Sequence, residues 1–165
     1  MGKVKTTHIA YIGVGANLAD REASIRVAIE RLSASRGIEV LNVSKMIDNP
    51  AAGGPPNSPA FLNGAIEVRT SLSARELLDR MLDIEKSLGR ERRLKWGPRT
   101  IDLDLLLFDD QIIAEPGLTV PHALLHERPF VLEPLAQIAP NVIHPTLRKS
   151  IGDLWREMSK SKSAE

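Results

Sequence analysis

No cysteine occurs among the 165 residues of the chain. That absence excludes a disulfide scaffold, a thiolate metal site and a cysteine nucleophile, and it fits a reducing compartment. Aromatic residues are also scarce, with two Trp, one Tyr and three Phe. No stretch approaches the roughly 18 consecutive apolar residues of a membrane span. The short apolar run broken by Gly13 and Gly15 is too brief for the core of a secretion signal. A cytoplasmic protein with no membrane segment is therefore expected. Repeats and low-complexity blocks are missing, as is a phosphate-binding lysine loop, and Gly13-Val14-Gly15 lacks the rest of a dinucleotide fingerprint.

What is present is ordinary for a globular protein: 42% hydrophobic and 26% charged residues. The length predicts one domain, over residues 1–158, with a frayed or disordered Ser-Lys tail over 159–165. Charge is nearly balanced at +1, but the balance is local. Between Glu85 and Arg99 stand six cations and two acids, so that window carries +4 and the remainder −3. A basic segment in a mildly acidic chain suggests a local anion site rather than a surface built for nucleic acid or membrane.

Hydrophobic periodicity orders the elements. A first strand runs over His8–Val14, and Asn17 or Asp20 can cap the helix that follows. That helix carries Ile25, Ala28, Ile29 and Leu32 at helical spacing and ends at Gly37. Ile38–Ile47 reads as a second strand, Asn49–Pro59 as a Pro/Gly loop, and Phe61–Arg69 as a third strand. Ser73 and Glu76 form a capping box for a helix bearing Leu77, Met81, Ile84 and Leu88, stopped by Gly89. A basic loop leads into a fourth strand, Ile101–Phe108. Asp109-Asp110 turns into Gln111–Ala114, and short helices follow over Phe130–Ile138 and Ser150–Met158. The order is βαββαβ with a C-terminal hairpin and short helices. It predicts an α+β, ferredoxin-like sandwich with helices on one face of a mainly antiparallel sheet.

Asp102-Leu103-Asp104 is the sharpest chemical feature. Alternation along a strand sends both carboxylates to one side, with Cα atoms roughly 6.6 Å apart from two rises of about 3.3 Å. Either this is a solvated or arginine-paired face, or the carboxylates hold Mg²⁺ together with phosphate oxygens. The adjoining segment from Gly89 to Arg99, with Arg90, Arg92, Arg93, Lys95 and Arg99, favours a polyphosphate. Phe61, Asn63 two residues on, and Phe130 are either core side chains or a stacking site for a flat heterocycle with an amide at its edge. His122 binds a phosphate or is structural. His8, His126 and His144 have no partner pattern and are assigned nothing.

Lys95-Trp96-Gly97-Pro98-Arg99-Thr100-Ile101-Asp102-Leu103-Asp104-Leu105-Leu106-Leu107-Phe108 resembles the signature of the 6-hydroxymethyl-7,8-dihydropterin pyrophosphokinases of folate biosynthesis. Tyr11 to Leu18, Phe61-Leu62-Asn63, Leu118 to His122 and Arg128-Pro129-Phe130 fall in the same family order, so the resemblance spans roughly residues 8–158. It implies pyrophosphate transfer from ATP to the pterin hydroxymethyl group, releasing AMP. It also implies two Mg²⁺ on Asp102 and Asp104, pterin stacking on Phe61 and Phe130, and an edge contact from Asn63. Arg90 and Arg92 would belong to a mobile catalytic loop, with Trp96 and Arg99 closing around ATP. Glu85, Thr119, His122 and Arg128 would line the nucleotide and phosphate path. The expected partners are ATP and the pterin, acting on a monomer with no nucleic acid or membrane. An RNA-binding module or a non-catalytic regulatory domain of the same fold are the other readings; the second gives the Asp pair and the basic segment no role.

Overall fold

The structure, a computed structural model, describes residues 6–17, 21–49, 61–96 and 101–163, with side chains over 6–17, 21–49, 61–88 and 101–160. Four antiparallel strands form the centre in the order β2 (Ile38–Val43), β4 (Phe61–Thr70), β1 (His8–Ala16), β5 (Ile101–Phe108), and β3 (Ile47–Asn49) also pairs with β4. β1 and β2, joined through helix α1 (Arg21–Ala34), are thus parallel with β4 between them. β4 and β5, joined through α2 (Ala74–Trp96), are parallel with β1 between them.

One sheet face packs on α1 and α2. Ile25, Ala28 and Leu32 meet Leu77, Met81, Ile84 and Leu88 over Ile12, Val14, Ile66, Val68 and Leu103. These are the helical stripes read from the sequence, and Gly37 leaves α1 at φ 86°, a conformation that suits a residue without Cβ. The capping box forms: the Ser73 amide donates to Glu76 Oε1 at 2.9 Å and the Glu76 amide to Ser73 Oγ at 3.1 Å.

Helices cover both faces, not one as expected. α3 (Pro129–Ile138) and α4 (Ile151–Ser163) bury Leu132, Leu135, Ile151 and Leu154 against Tyr11, Ala65, Leu106 and Leu107. A bulge makes this second face continuous. The β1–β5 register shifts between Tyr11 and Ile12, so Leu106 has no partner and both Leu106 and Leu107 join the second core.

Other boundaries also differ. The expected second strand is split because Ser44 leaves the ladder: its amide donates to the Ala65 carbonyl at 2.9 Å, and its hydroxyl accepts from the Ala65 amide at 2.8 Å. α2 does not stop at Gly89 but continues to Trp96, so the basic segment starts as helix. A glycine inside a helix costs only about 1 kcal/mol relative to alanine, and the flanking Arg, Glu and Lys are good helix formers. The hairpin pairs β6 (Ile113–Glu115) with β7 (Leu118–Val120) as a separate ribbon. α4 reaches Ser163, past the expected boundary at Met158; Lys160 lies in its last turn, where a cation suits the helix dipole. Asp20, the Ala51–Pro56 stretch and Arg99 lie outside the described residues. No described helix is long and apolar enough to cross a membrane.

Candidate functional site

The second face is covered by α3 and α4 only in part. At the β1 C-terminal end it opens into a cleft of about 350 Å³ whose lining includes Asp102, Asp104, Phe61, Asn63, Arg128 and Phe130. Register explains the convergence. Gly15 of β1 pairs with Asp102 on one side and Asn63 on the other, while Gly13 pairs with Asp104 and Ala65. Asp102, Gly15 and Asn63 therefore form one row across three strands, about 10 Å end to end at the usual strand spacing. Gly13 and Gly15 give that row a floor without side chains. A Cβ on Gly15 would stand 2.7 Å from Asn63 Nδ2. In sequence alone Gly13-Val14-Gly15 reads as lacking the rest of a dinucleotide fingerprint. Glycine at two same-face positions of a buried strand was the available signal of close approach by a ligand.

Phe61 and Phe130 are half-buried and belong to neither core cluster, which argues against the purely structural reading. Arg128 precedes α3, and its guanidinium carbon lies 5.9 Å from the Phe130 ring centre. Pro129 takes the first helical position, where the missing N–H would be unpaired in any case.

Asp104 also lines a second cavity, about 320 Å³, with Thr119, His122, Leu78 and Ala123. His122 Nε2 stands 3.9 Å from Asp104 Oδ1, and His122 Nδ1 accepts the Leu124 amide at 3.2 Å. A neutral His122 held this way carries its proton on Nε2, the nitrogen facing the carboxylate. The His122 amide donates to the carbonyl of the bulged Leu106 at 3.0 Å, so the bulge fixes this residue too. Glu85, half-buried on α2, accepts the Leu103 amide through Oε2 at 2.7 Å and thereby grips the edge strand between the two aspartates.

The electrostatics are strained by like charge. Desolvation first, then the Asp104 charge, holds the Asp102 carboxyl above the usual carboxylate range. Glu85 is raised by desolvation, opposed by its bond from Leu103, and raised further by Asp102 and Asp104. Among the described residues no three His, Cys, Asp or Glu side chains form a ready-made cation cage. Asp102 and Asp104 supply two hard oxygen donors and leave the rest of a coordination shell to water or phosphate, a donor set that fits Mg²⁺. Arg90, Arg92 and Trp96 lie on the last turns of α2, but their side chains, like Arg99, lie outside the described set.

A family model for 7,8-dihydro-6-hydroxymethylpterin-pyrophosphokinase (HPPK) matches residues 11–140. An Aquifex aeolicus protein named 2-amino-4-hydroxy-6-hydroxymethyldihydropteridine pyrophosphokinase is 43% identical over 147 residues, covering 89% of this chain and 90% of that protein. A Bacillus subtilis protein of the same name is 44% identical over 135 residues, 82% of this chain and 80% of its own. Among solved structures, Plasmodium falciparum HPPK-DHPS wild type with pteroate superposes at a TM-score of 0.75 over 99% of this chain, with 16% identity, and supports the fold alone. The chain spans 44% of that Plasmodium chain.

Proposed function

The chain belongs to the 7,8-dihydro-6-hydroxymethylpterin-pyrophosphokinase family, and from that premise we propose how its own residues perform the reaction. The activity is transfer of pyrophosphate from ATP to the hydroxymethyl group of 6-hydroxymethyl-7,8-dihydropterin, in folate biosynthesis. The RNA-binding and regulatory readings are not favoured. The strand order, with each β–α–β pair split by one antiparallel strand, supports the ferredoxin-like reading.

The observation that carries the residue assignment is Asp104, which lines both the Phe-lined cleft and the His122 cavity. The pterin lies in the first, between Phe61 and Phe130, with its edge at Asn63. ATP lies in the second, along Thr119 and His122, and Glu85 supports the edge strand beside it. The two substrates then meet over Asp102 and Asp104. These carboxylates would hold two Mg²⁺, and the metal, when bound, neutralises the charge of the transferred phosphates. His122 presents Nε2–H to a phosphate oxygen. Arg128 adds a cation beside the stacked ring. Arg90 and Arg92 come from the α2 C-terminal turns, and Trp96 and Arg99 follow from the same segment to close over ATP. The pterin hydroxyl oxygen bonds to the β-phosphorus, the bond from that phosphorus to the α,β-bridging oxygen breaks, and the hydroxyl proton is released. A reducing cytoplasm fits the cysteine-free composition.

Incubation with ATP, Mg²⁺ and the hydroxymethyl-dihydropterin is expected to yield AMP and a diphosphorylated pterin. ADP with a monophosphorylated pterin would instead mean attack at the γ-phosphorus and would sink this reading.

A further inference from the structure

The β6–β7 ribbon forms one wall of the cavity assigned above to ATP, through Gly117, Leu118 and Thr119. Among the described residues it pairs with no strand of the main sheet. A lone two-stranded ribbon is marginally stable in water, so its position is set by what it packs against. Leu118 and Val120 anchor its base in the first core, with Thr119 on the opposite, exposed side. The tip is Pro116-Gly117, between the paired Glu115 and Leu118, and both of its residues are exposed.

Arg75 reaches that tip from the first turn of α2. Its Nη2 donates to the Pro116 carbonyl at 2.9 Å and to Glu115 Oε1 at 3.2 Å. Its Nη1 lies 3.8 Å from where a Gly117 Cβ would stand, so the guanidinium spans the turn. Leu78, one helical turn along the same face of α2, lines the cavity as well. The arginine thus ties the α2 wall of the cavity to the ribbon wall. A cation in the first turn runs against the helix dipole, and the ion pair to Glu115 offsets little, since the two side chains are 41% and 56% exposed. The bond to the Pro116 carbonyl is of another kind, because it holds the ribbon by its backbone.

Asp104 and His122 bring the polar groups that suit a triphosphate and its metal, whereas Leu78, Gly117 and Leu118 offer an uncharged surface that suits a base. We propose that Arg75 is a positioning residue for the nucleotide. By clamping the Pro116-Gly117 turn to α2 it keeps the uncharged wall at the spacing a nucleoside base needs. This rests on the ATP assignment above and adds to it a residue outside the cavity lining.

Steady-state kinetics of the full chain with ATP, Mg²⁺ and the hydroxymethyl-dihydropterin test it, with inorganic tripolyphosphate as a competitive probe that has no base. Arg75→Ala should raise KM for ATP about three- to tenfold, while kcat and KM for the pterin stay within about twofold. The inhibition constant of tripolyphosphate should move less than about twofold. Arg75→Lys keeps a donor for the Pro116 carbonyl and should recover most of the loss. Glu115→Gln leaves that bond in place and should keep KM for ATP within about twofold. A merely structural arginine would lower the urea midpoint and leave KM for ATP alone. Unchanged KM for ATP in folded Arg75→Ala, an equal loss for tripolyphosphate, or a Glu115→Gln effect as large as that of Arg75→Ala overturns the proposal. If Arg75→Ala does not fold, Arg75→Met, which keeps the apolar stem and removes the donors, is judged by the same outcomes. A wild-type chain that releases no AMP would overturn the function proposed above instead.

Discussion

Asp102 and Asp104 hold two like charges on one strand face, and among the described residues the nearest side chain able to offset them is His122, 3.9 Å from Asp104. The Asp102 carboxyl titrates above its ordinary value of 3.8, from desolvation and from Asp104. A carboxyl raised in the fold is a cost at pH values above its folded pKa, and that cost disappears below 3.8, where folded and unfolded chains are both protonated. Asp102→Asn should therefore raise the urea midpoint of the free protein at pH 7, by an increment that shrinks as pH falls toward 4. The increment will be modest because water reaches the residue. The same variant, and Asp104→Asn, should lower turnover by at least about a hundredfold. Near-normal activity in both would remove the metal assignment. Gly15→Ala tests the cleft floor. The added methyl would stand 2.7 Å from Asn63 Nδ2, a side-chain atom that can shift. Binding of 6-hydroxymethylpterin should weaken by about tenfold or more with the fold kept. Unchanged pterin affinity would show that Asn63 is not held in place through this glycine.

At the scale of elements, α2 joins structure to chemistry. Its first turns hold a capping box, its middle supplies Met81 and Ile84 to the core, and its last turns carry Arg90 and Arg92. The stripe and the box were legible because spacing and cap chemistry are local. The end of the helix was not, because Gly89 is a stop signal only when it takes a left-handed conformation, and a helical Gly89 costs little. If Arg90 and Arg92 strengthen their bonds to phosphate as the transition state forms, Arg90→Ala and Arg92→Ala should lower kcat by about ten- to a thousandfold while ATP binding is largely kept. Hydrogen exchange across residues 89–97 should slow further when ATP analogue and pterin are both present. Mutants that lose ATP affinity at unchanged kcat would make these arginines static clamps.

For the molecule as a whole, the C-terminal segment carrying α3 and α4 works as a second layer that covers part of one face of the sheet and shapes the cleft. His144 holds part of it. Its ring is buried and its Nδ1 accepts the Thr146 and Leu147 amides at 3.2 and 3.1 Å, so that nitrogen must be unprotonated. Desolvation, and the nearby His126, lower its pKa below the ordinary 6.5. A base depressed in the fold is neutral in both states above pH 6.5; below that value the unfolded chain takes up the proton first. Stability supplied by His144 should be complete at pH 7.5 and decline as pH falls below 6.5. His144→Asn, which keeps a side-chain acceptor, should flatten that part of the pH profile in urea unfolding. An equally steep decline in the variant would place the sensitivity elsewhere.

Much of the fold and part of the site are local properties of the chain. The strand alternation of Ile101–Phe108 put both aspartates on one side, the helical stripes of α1 and α2 defined the first core, and the family motif joined Asp102 and Asp104 to Phe61, Asn63 and Phe130. Each follows from spacing along a few residues or from a short motif. Pairing between distant segments is a different matter. The register that aligns Asp102, Gly15 and Asn63, the bulge at Leu106 that carries His122, and the closing of the second face by α3 and α4 depend on contacts far apart in sequence.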